Sequence, residues 1–269
     1  MAITALNSAA TGLRALSTRI DVVANNLANA ETTAFKRSRV NFEDLFYLQL
    51  KQPGATNSAG EPSPAGIFVG LGVKISNTQL DLEQGSLEDT RRDLDVGISG
   101  DGFFKVKVLD GIGDGFAYTR NGNLFQNAEG DLVLGIGDGY RLEPSINIPA
   151  DAIEINISET GIVEYKQPGS TDTKQAGQLK LSQFVNPQGL QLLGGGLYVE
   201  TAASGAPVES NPGEDGAGIT LKGFLEASNV DPVKELVTLI KTQRAFELNS
   251  QSIQSADQAL QTIGNLRRL

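Results

Sequence analysis

The amino-acid sequence predicts an α+β fold. Long N- and C-terminal α-helices pack together as a coiled-coil-like domain, and they carry a central, mainly antiparallel β domain and a linking β-hairpin or loop segment. Two observations predict this fold. Apolar residues recur every seven positions at both ends of the chain, the spacing of a helical seam. Between the ends, short runs alternate apolar and polar residues, as half-buried strands do, and turn sequences separate them.

The N-terminal repeat predicts a helix from about residue 4 to about residue 32, where Thr32 and Thr33 interrupt the pattern. Both apolar positions of four heptads are filled, and the larger side chains are Leu6, Leu13, Leu16, Ile20, Val23 and Leu27. An amphipathic helix lying on its own domain is the alternative interpretation. The strict two-position seam is narrower than the stripe of a surface helix and favours a helical partner.

A linking segment is predicted at residues 33–71, together with residues 225–230. It opens with a basic cluster at Lys36, Arg37 and Arg39. The cluster could bind phosphate, but a solvated turn beside acidic neighbours is the favoured interpretation. Residues 51–70 are rich in Pro, Gly, Ala and Ser and show no period, which predicts a mobile loop or a long hairpin arm.

The central β domain is predicted at residues 72–224, where strands such as residues 104–108 and 153–157 alternate. Gly-Asp-Gly-aromatic strings begin at Gly100, Gly113 and Gly137. A calcium loop starting at Asp110 would need an oxygen ligand at position 112 and a glutamate at position 121, and the sequence has Ile and Asn there. Hairpin turns are therefore the favoured interpretation.

The C-terminal helix is predicted to start at Pro232, with Asp231 as its N-cap, and to reach about residue 267. Its seven-residue seam contains Leu239, Phe246, Ile253, Leu260 and, in an intervening position, Ile263. A broader apolar stripe precedes the seam, and Asn249, Ser252 and Ser255 make the middle of the helix polar. Residues 1–32 and 231–269 are therefore predicted to form one terminal helical domain, in which the C-terminal helix is the wetter of the two.

Composition narrows the classes of function. The formal net charge of −10 argues against nucleic-acid binding. The chain has no cysteine, histidine or tryptophan, which excludes disulfides and the usual zinc sites and hydrolytic triads. No run approaches the ~18 apolar residues of a membrane span, and residues 1–16 do not have the pattern of a secretory signal. We expect no enzymatic activity, no cofactor and no membrane insertion.

Several strings resemble the bacterial flagellar rod and hook protein family. Residues 25–29 read NNLAN, residues 32–37 read TTAFKR, and residues 223–231 read GFLEASNVD. GDGFFKV at 100–106 and YTRNGNLFQNAEGDLV at 118–133 are also similar to segments of this family. The family-motif residues are Asn25, Asn26, Leu27, Asn29, Phe35, Lys36, Arg37, Ser228, Asn229, Val230, Gln243 and Arg244.

Within the family, the chain length and residues 81–104 most resemble distal rod members, with proximal rod members as the alternative. The resemblance implies a self-assembling helical tube whose inner layer is the terminal helices around an export channel. We expect the C-terminal helix to lie nearer that channel, with Asn249, Ser252 and Ser255 towards water. It implies proximal rod and hook proteins, L- and P-ring proteins and the flagellar type III export apparatus as partners. It places the protein in the basal body, spanning the periplasm after export without a cleaved signal peptide.

One position departs from the family pattern: Ala34 stands where the family generally has glycine. A positive φ there would cost alanine about 1–2 kcal/mol, so we expect an ordinary backbone conformation at Ala34. We also expect the two ends to be poorly ordered in the monomer, because an isolated seam has nothing to bury it. The alternative from another class is a secreted β-rich carbohydrate-binding protein that trimerises through terminal coiled coils.

Overall fold

The computed structural model describes residues 2–54, 64–109, 114–137, 139–169 and 172–266. It confirms an α+β fold with an N-terminal helix, a C-terminal helix and a central antiparallel β domain. The chain divides into two compact units. Unit 1 is Met1–Ala28, Ser38–Leu80 and Asp231–Leu269, and unit 2 is Asn29–Arg37 and Asp81–Val230. The boundaries of these two units differ from those of the three predicted domains, because residues 38–80 group with the terminal helices.

Unit 1 contains the helices α1 (Ala2–Ala28) and α2 (Pro232–Leu266) and the strands β1 (Ser38–Asp44), β2 (Tyr47–Lys51), β3 (Ile67–Gly70) and β4 (Val73–Leu80). The predicted start of α2 is confirmed: the Asp231 carboxylate accepts hydrogen bonds from the backbone N–H groups of Val233 and Lys234 at 3.0 and 3.1 Å. The predicted end of α1 is four residues too late. The helix stops at Ala28 because a turn follows, in which the Thr32 backbone N–H donates to the Asn29 carbonyl.

The strands of unit 1 form two antiparallel pairs. β1 pairs with β4 along its whole length, and β2 pairs with β3. The predicted hairpin arm is therefore the β2–β3 pair, and its tip at residues 55–63 lies outside the described residues. Helices α1 and α2 contact each other, and α1 also contacts β1 and β4. Each terminal helix thus has a partner within the same subunit.

Unit 2 consists of short strands: β5 (Leu87–Asp89), β6 (Val96–Ser99), β7 (Phe104–Lys107), β8 (Phe116–Thr119), β9 (Leu124–Gln126), β10 (Leu132–Leu134), β11 (Arg141–Glu143), β12 (Glu154–Ile157), β13 (Ile162–Lys166), β14 (Thr173–Gln178), β15 (Leu181–Gln183), β16 (Gln191–Gly194), β17 (Leu197–Val199), β18 (Val208–Ser210), β19 (Ile219–Lys222) and β20 (Phe224–Glu226). A short 3-10 helix, Pro187–Gly189, lies between β15 and β16.

The largest sheet of unit 2 has the strand order β16-β17-β8-β7-β11-β10-β9, and its ladders are antiparallel. A second sheet has the order β12-β13-β14, and three antiparallel pairs complete the unit: β15–β18, β19–β6 and β20–β5. The pairs of β19 and β20 bring the end of the unit back to its beginning. The core is the apolar face of these sheets and includes Val96, Ile98, Phe104, Leu124 and Leu181.

Where they are described, the Gly-Asp-Gly strings lie in turns, bends or loops between strands. The first is not the predicted hairpin turn, because β6 pairs with β19 and not with β7. Gly100, Gly102, Gly115, Gly137 and Gly139 have positive φ values, which glycine adopts without strain. Residues 110–113 and Asp138 lie outside the described residues. Across the described ranges, no group of three or more acidic side chains is placed to hold a metal ion.

Neither of the two helices, over the residues the structure describes, is long and apolar enough to cross a membrane.

Candidate functional site

The predicted seams of the two helices lie largely on their covered faces. Along α1, Ala9 and Val23 are buried, and Leu6, Leu13, Leu16, Ile20 and Leu27 are half-buried. Along α2, Thr242 is buried, and Leu239, Phe246, Ile253 and Leu260 are half-buried. The side chain of Ile263 lies outside the described residues. The seam residues are therefore partly covered within one subunit and keep surface for a further partner.

Gly12 marks a close approach of α1 to α2. Its position is buried, and a Cβ there would lie 3.1 Å from the side-chain amide nitrogen of Asn249. Asn249 is half-buried at this contact, whereas Ser252 and Ser255 are exposed on α2. The polar middle of α2 is thus divided between a residue facing α1 and serines facing solvent.

The first turns of α2 carry an exposed apolar stripe, made of Val233, Leu236, Val237 and Ile240 at helical spacing. All four are between 44% and 72% exposed. This is the broad stripe that precedes the heptad seam in the sequence. Isolated exposed apolar residues are ordinary on a protein surface, but a contiguous stripe marks an interaction site.

The β2–β3 arm exposes a second set of large apolar side chains: Phe46, Tyr47, Leu48, Leu50, Ile67 and Phe68. Over the described residues, these two strands pair only with each other. A two-stranded hairpin is marginally stable on its own. The arm therefore presents an apolar surface that a partner would stabilise.

Asn26 connects the end of α1 to the start of β1. Its side-chain amide donates to the Ser38 carbonyl at 2.8 Å, and its carbonyl oxygen accepts from the Ser38 backbone N–H at 2.9 Å. Asn26 is buried, whereas its motif neighbour Asn25 is exposed. Asn29, in the turn that follows, accepts a hydrogen bond from the Thr32 hydroxyl. Part of the first motif thus fixes how the chain leaves its first helix.

Three more motif residues, Lys36, Arg37 and Asn229, belong to a cluster in unit 2, which we call the three-segment clamp. It joins residues 29–37, residues 81–90 and residues 223–230, and the β domain contributes one arginine. Its interacting residues are Ala34, Lys36, Arg37, Asp81, Glu83, Gly85, Arg120, Glu226 and Asn229.

Glu226 is the centre of the clamp. Its Oε1 accepts from the Lys36 ammonium at 2.5 Å and from the Gly85 backbone N–H at 2.9 Å. Its Oε2 accepts from Arg120 Nε at 2.7 Å. The side chains of Lys36 and Glu226 are 0% exposed and that of Arg120 is 4% exposed. One buried carboxylate therefore lies between two buried cations.

Both cations have further acceptors that hold them in place. The Lys36 ammonium also donates to the Glu83 carbonyl at 2.6 Å. Arg120 donates its terminal N–H groups to the Gly100 and Gly102 carbonyls, each at 3.0 Å. Lys36 thus donates to two fixed oxygens and Arg120 to three, and such hydrogen bonding is what makes buried charge tolerable.

The titration of the clamp follows from its burial and charge. Burial by itself raises the pKa of Glu226, but the positive charges of Arg120 and Lys36 and their hydrogen bonds outweigh it and hold that pKa below its ordinary value. Burial lowers the pKa of Lys36, and the carboxylate of Glu226 only partly opposes this. Removing Glu226 would remove the charge that makes burial of both cations possible.

Arg37 and Asn229 form the outer part of the clamp. The Arg37 backbone N–H donates to the Asn229 side-chain oxygen at 2.8 Å, and the Asn229 amide donates to the Asp81 carbonyl at 2.8 Å. The half-exposed Arg37 guanidinium donates to the Asp81 carboxylate from Nε and Nη2 at 2.9 and 2.6 Å. Asn229 thus bridges the first two segments of the clamp.

Two expectations for this region are wrong. Lys36 is not part of a solvated turn but is fully buried, because Glu226 reaches it from a distant part of the chain. Ala34 has φ +56°, the left-handed conformation that the sequence argued against. Its backbone N–H donates to the Glu226 carbonyl at 2.7 Å, so pairing with the third segment holds the strained conformation.

The other motif residues have simpler surroundings. Phe35 is half-buried and Val230 is buried, and the Ser228 hydroxyl accepts from the Val230 backbone N–H at 3.3 Å. Gln243 and Arg244 are exposed on α2. The sequence did not single out Arg120, Asp81 or Glu226. The signal for Glu226 was its place in the family-like string GFLEASNVD, where it is one of two carboxylates and the other, Asp231, is the N-cap of α2.

Three segments of the chain match protein-family models. Residues 6–36 match the model described as flagella basal body rod protein, and residues 97–165 match flagellar hook protein FlgE/F/G D1 domain. Residues 221–266 match flagellar basal body rod FlgEFG protein C-terminal. Lys36, Arg120 and Glu226 lie one in each matched segment, so the charged centre of the clamp joins all three.

Curated relatives match over nearly the whole chain. The chain is 44% identical to flagellar basal-body rod protein FlgG of Buchnera aphidicola subsp. Schizaphis graminum over 256 residues, 95% of this chain and 96% of the relative. It is 42% identical to the protein of that name from Caulobacter vibrioides, over 98% of this chain and 99% of the relative. The one from Bacillus subtilis is 36% identical over 98% of each chain.

Proposed function

We propose, starting from the fact that this chain belongs to the flagellar basal-body rod protein family, that it is a structural subunit of the distal rod. Its terminal helices assemble copies of the chain into a helical tube that encloses the export channel and transmits motor torque. Its work is assembly rather than catalysis. A subunit of the proximal rod is the alternative within the family.

The observation that carries the proposal is the apolar stripe of α2, exposed in the single subunit at Val233, Leu236 and Ile240. Burying a Val, Leu or Ile side chain contributes about 1.5–3 kcal/mol. Because these side chains are already partly covered, each would add roughly 1 kcal/mol at a subunit interface. Three together give about 3 kcal/mol, roughly a hundredfold in an association constant.

The occupant of the stripe is a helix of a neighbouring copy. The seam residues complete that interface as a coiled-coil-like layer: Val23 is buried, and the half-buried members are Leu6, Leu13, Leu16, Ile20, Leu27, Leu239, Phe246, Ile253 and Leu260. Ile263 is expected to extend it. A head-to-tail contact of this kind uses different patches on the two copies and gives an open helical tube when the rotation does not close.

The wall of the tube has two unequal helical layers. Ser252 and Ser255 are exposed on α2, whereas the exposed face of α1 carries alanine as well as polar side chains. We place α2 nearer the channel, with these serines towards water. Asn249, which contacts α1 at Gly12, lies within the wall rather than on the channel surface.

The remaining parts serve contacts along and around the rod. The apolar β2–β3 arm meets neighbouring subunits and stiffens the tube, and the three-segment clamp keeps fixed the segments through which the chain enters and leaves unit 2. The partners are further copies of this chain, proximal rod and hook proteins, L- and P-ring proteins and the type III export apparatus. The place of action is the basal body, across the periplasm, after export by that apparatus.

The test is polymerisation of purified full-length protein, followed by sedimentation and electron microscopy. The stripe variant carries Val233→Gln, Leu236→Gln and Ile240→Gln, since glutamine keeps helix propensity. The matched control is Val185→Gln, which changes an apolar residue that is 89% exposed in unit 2.

Wild type and control are expected to form open-ended tubes, and the stripe variant to need roughly a hundredfold higher protein concentration. Equal polymerisation of the stripe variant, or a closed small oligomer in all samples, would refute the proposal.

A further inference from the structure

The three-segment clamp contains a chain-order asymmetry. Its two buried cations, Lys36 and Arg120, both precede the carboxylate that balances them. Glu226 lies 190 residues after Lys36 and 106 residues after Arg120. A chain is synthesised from its N-terminus, so both cations are present before their counter-charge.

Native packing without Glu226 would leave two cations buried close to each other. The charge of Arg120 acts on Lys36 in the same direction as burial and disfavours its charged form. Leaving a buried charge unpaired is far more costly than removing an exposed pair. A chain that ends before Glu226 therefore lacks the interaction that makes the native position of both side chains favourable.

The stretch that carries Glu226 also closes the backbone of unit 2. Strand β19 pairs with β6, whose Val96 and Ile98 are core residues, and β20 pairs with β5. The Glu226 carbonyl accepts from the backbone N–H of Ala34, and the Ala227 N–H donates to the Ser86 carbonyl at 2.8 Å. The counter-charge and the hydrogen bonds that close the backbone of unit 2 therefore come from the same short segment.

We infer that the clamp is a completeness checkpoint: unit 2 folds only when the chain has been delivered through residues 226–230. A partly delivered chain remains unfolded in this unit, although most of its core residues are already present. After closure, the segment of α2, Pro232–Leu266, is still to be delivered. The use of the checkpoint during export rests on the proposed function, but the folding dependence does not.

The experiment follows synthesis of the full sequence and arrests it on the ribosome at two points. The earlier arrest, within α2, leaves residue 222 at the tunnel exit, and the later one, at a spacer added after residue 269, brings residue 240 there. Brief proteolysis reports whether unit 2 is folded. The variants are Glu226→Gln and a control, Glu209→Gln, which removes the partly exposed partner of Lys105 in the same unit.

Wild type and control are expected to be cleaved in unit 2 when residue 222 is at the exit and protected when residue 240 is there. Glu226→Gln is expected to be cleaved at both points. Resistance of wild type at the earlier point would overturn the inference. So would resistance of Glu226→Gln at the later point.

A second comparison separates charge from packing in released full-length protein. Glu226→Gln should lower the folding equilibrium constant of unit 2 at least about a hundredfold, and Glu209→Gln less than about fivefold. Adding Lys36→Met to Glu226→Gln should raise the constant again, because it removes one unbalanced cation. A further fall would overturn the charge argument. None of these results depends on whether the protein polymerises, so failure of the proposed function would be seen separately.

Discussion

Gly85 tests whether the three-segment clamp is as closely packed as its hydrogen bonds indicate. A Cβ at this position would lie 2.1 Å from the Ala227 carbonyl oxygen and 3.0 Å from its carbon. Both are backbone atoms, so no side-chain rotation relieves the overlap. Gly85→Ala must therefore separate the second segment from the third by about 1 Å, since a carbon–oxygen contact needs more than about 3 Å.

The cost of Gly85→Ala follows from the bonds this movement breaks. The Gly85 N–H donates to the Glu226 carboxylate, and the Ala227 N–H donates to Ser86. A hydrogen bond to a charged group contributes about 1.5–3 kcal/mol and a neutral one about 0.5–1.5 kcal/mol. We expect Gly85→Ala to lower the free energy of unfolding of unit 2 by about 2–4 kcal/mol.

The assay is urea unfolding followed by near-ultraviolet circular dichroism, because Tyr118 and Tyr198 are buried in unit 2 and report on it. Gly205→Ala is the control: it has positive φ but open space around the added carbon, so only backbone strain of about 1–2 kcal/mol applies. The φ of Gly85 is not in the positive region, so alanine there would stabilise by about 0.4–1 kcal/mol if nothing touched it. Stabilisation by Gly85→Ala would refute the packing of the clamp.

Three further predictions concern the clamp and the helices. The folded pKa of Glu226 lies below its ordinary value of 4.5, so the stability that its charge contributes is present above pH 4.5 and is lost as the pH falls through the folded pKa. The urea midpoint of unfolding should therefore decrease as the pH is lowered from 4.5 in wild type, and decrease much less in Glu226→Gln. Ala34→Gly should change the free energy of unfolding by less than about 1 kcal/mol, since relief of strain offsets the greater freedom of glycine in the unfolded chain. Ala34→Val should lower the free energy of unfolding by more than about 2 kcal/mol. If urea unfolding shows no loss of stability in Ala34→Val, the positive φ at this position is contradicted. Limited proteolysis of the monomer should cut within residues 1–28 and 232–269 before it cuts unit 2, because no neighbouring subunit covers the exposed stripe of α2. Terminal segments that resist the protease longer than unit 2 would contradict this prediction.

The helical part of the fold is predictable from local sequence patterns. The seven-residue spacing places Leu13 and Phe246 on covered faces of α1 and α2, because a helix seam is set by residues close in sequence. The Asp231–Pro232 start of α2 was predictable for the same reason, since capping involves only the first turn. The end of α1 is harder to predict from the sequence, because Asn29 and Thr32 form a turn that competes with one more helical turn.

The three-segment clamp could not be predicted, because its partners are distant in sequence. The sequence predicts Lys36 at the surface, since lysine is almost never buried unless it is paired. Its partner in the chain is 190 residues away, and no period or spacing connects the two. The positive φ of Ala34 has the same origin, because it depends on a backbone hydrogen bond with Glu226.

The most direct test of the proposed assembly is a helical reconstruction of the polymer formed by the full-length protein. We expect an open-ended tube in which Val233, Leu236 and Ile240 are buried against a neighbouring subunit, α2 lies nearer the channel than α1, and Ser252 and Ser255 face water. A closed oligomer, or a tube in which this stripe stays exposed, would contradict the account.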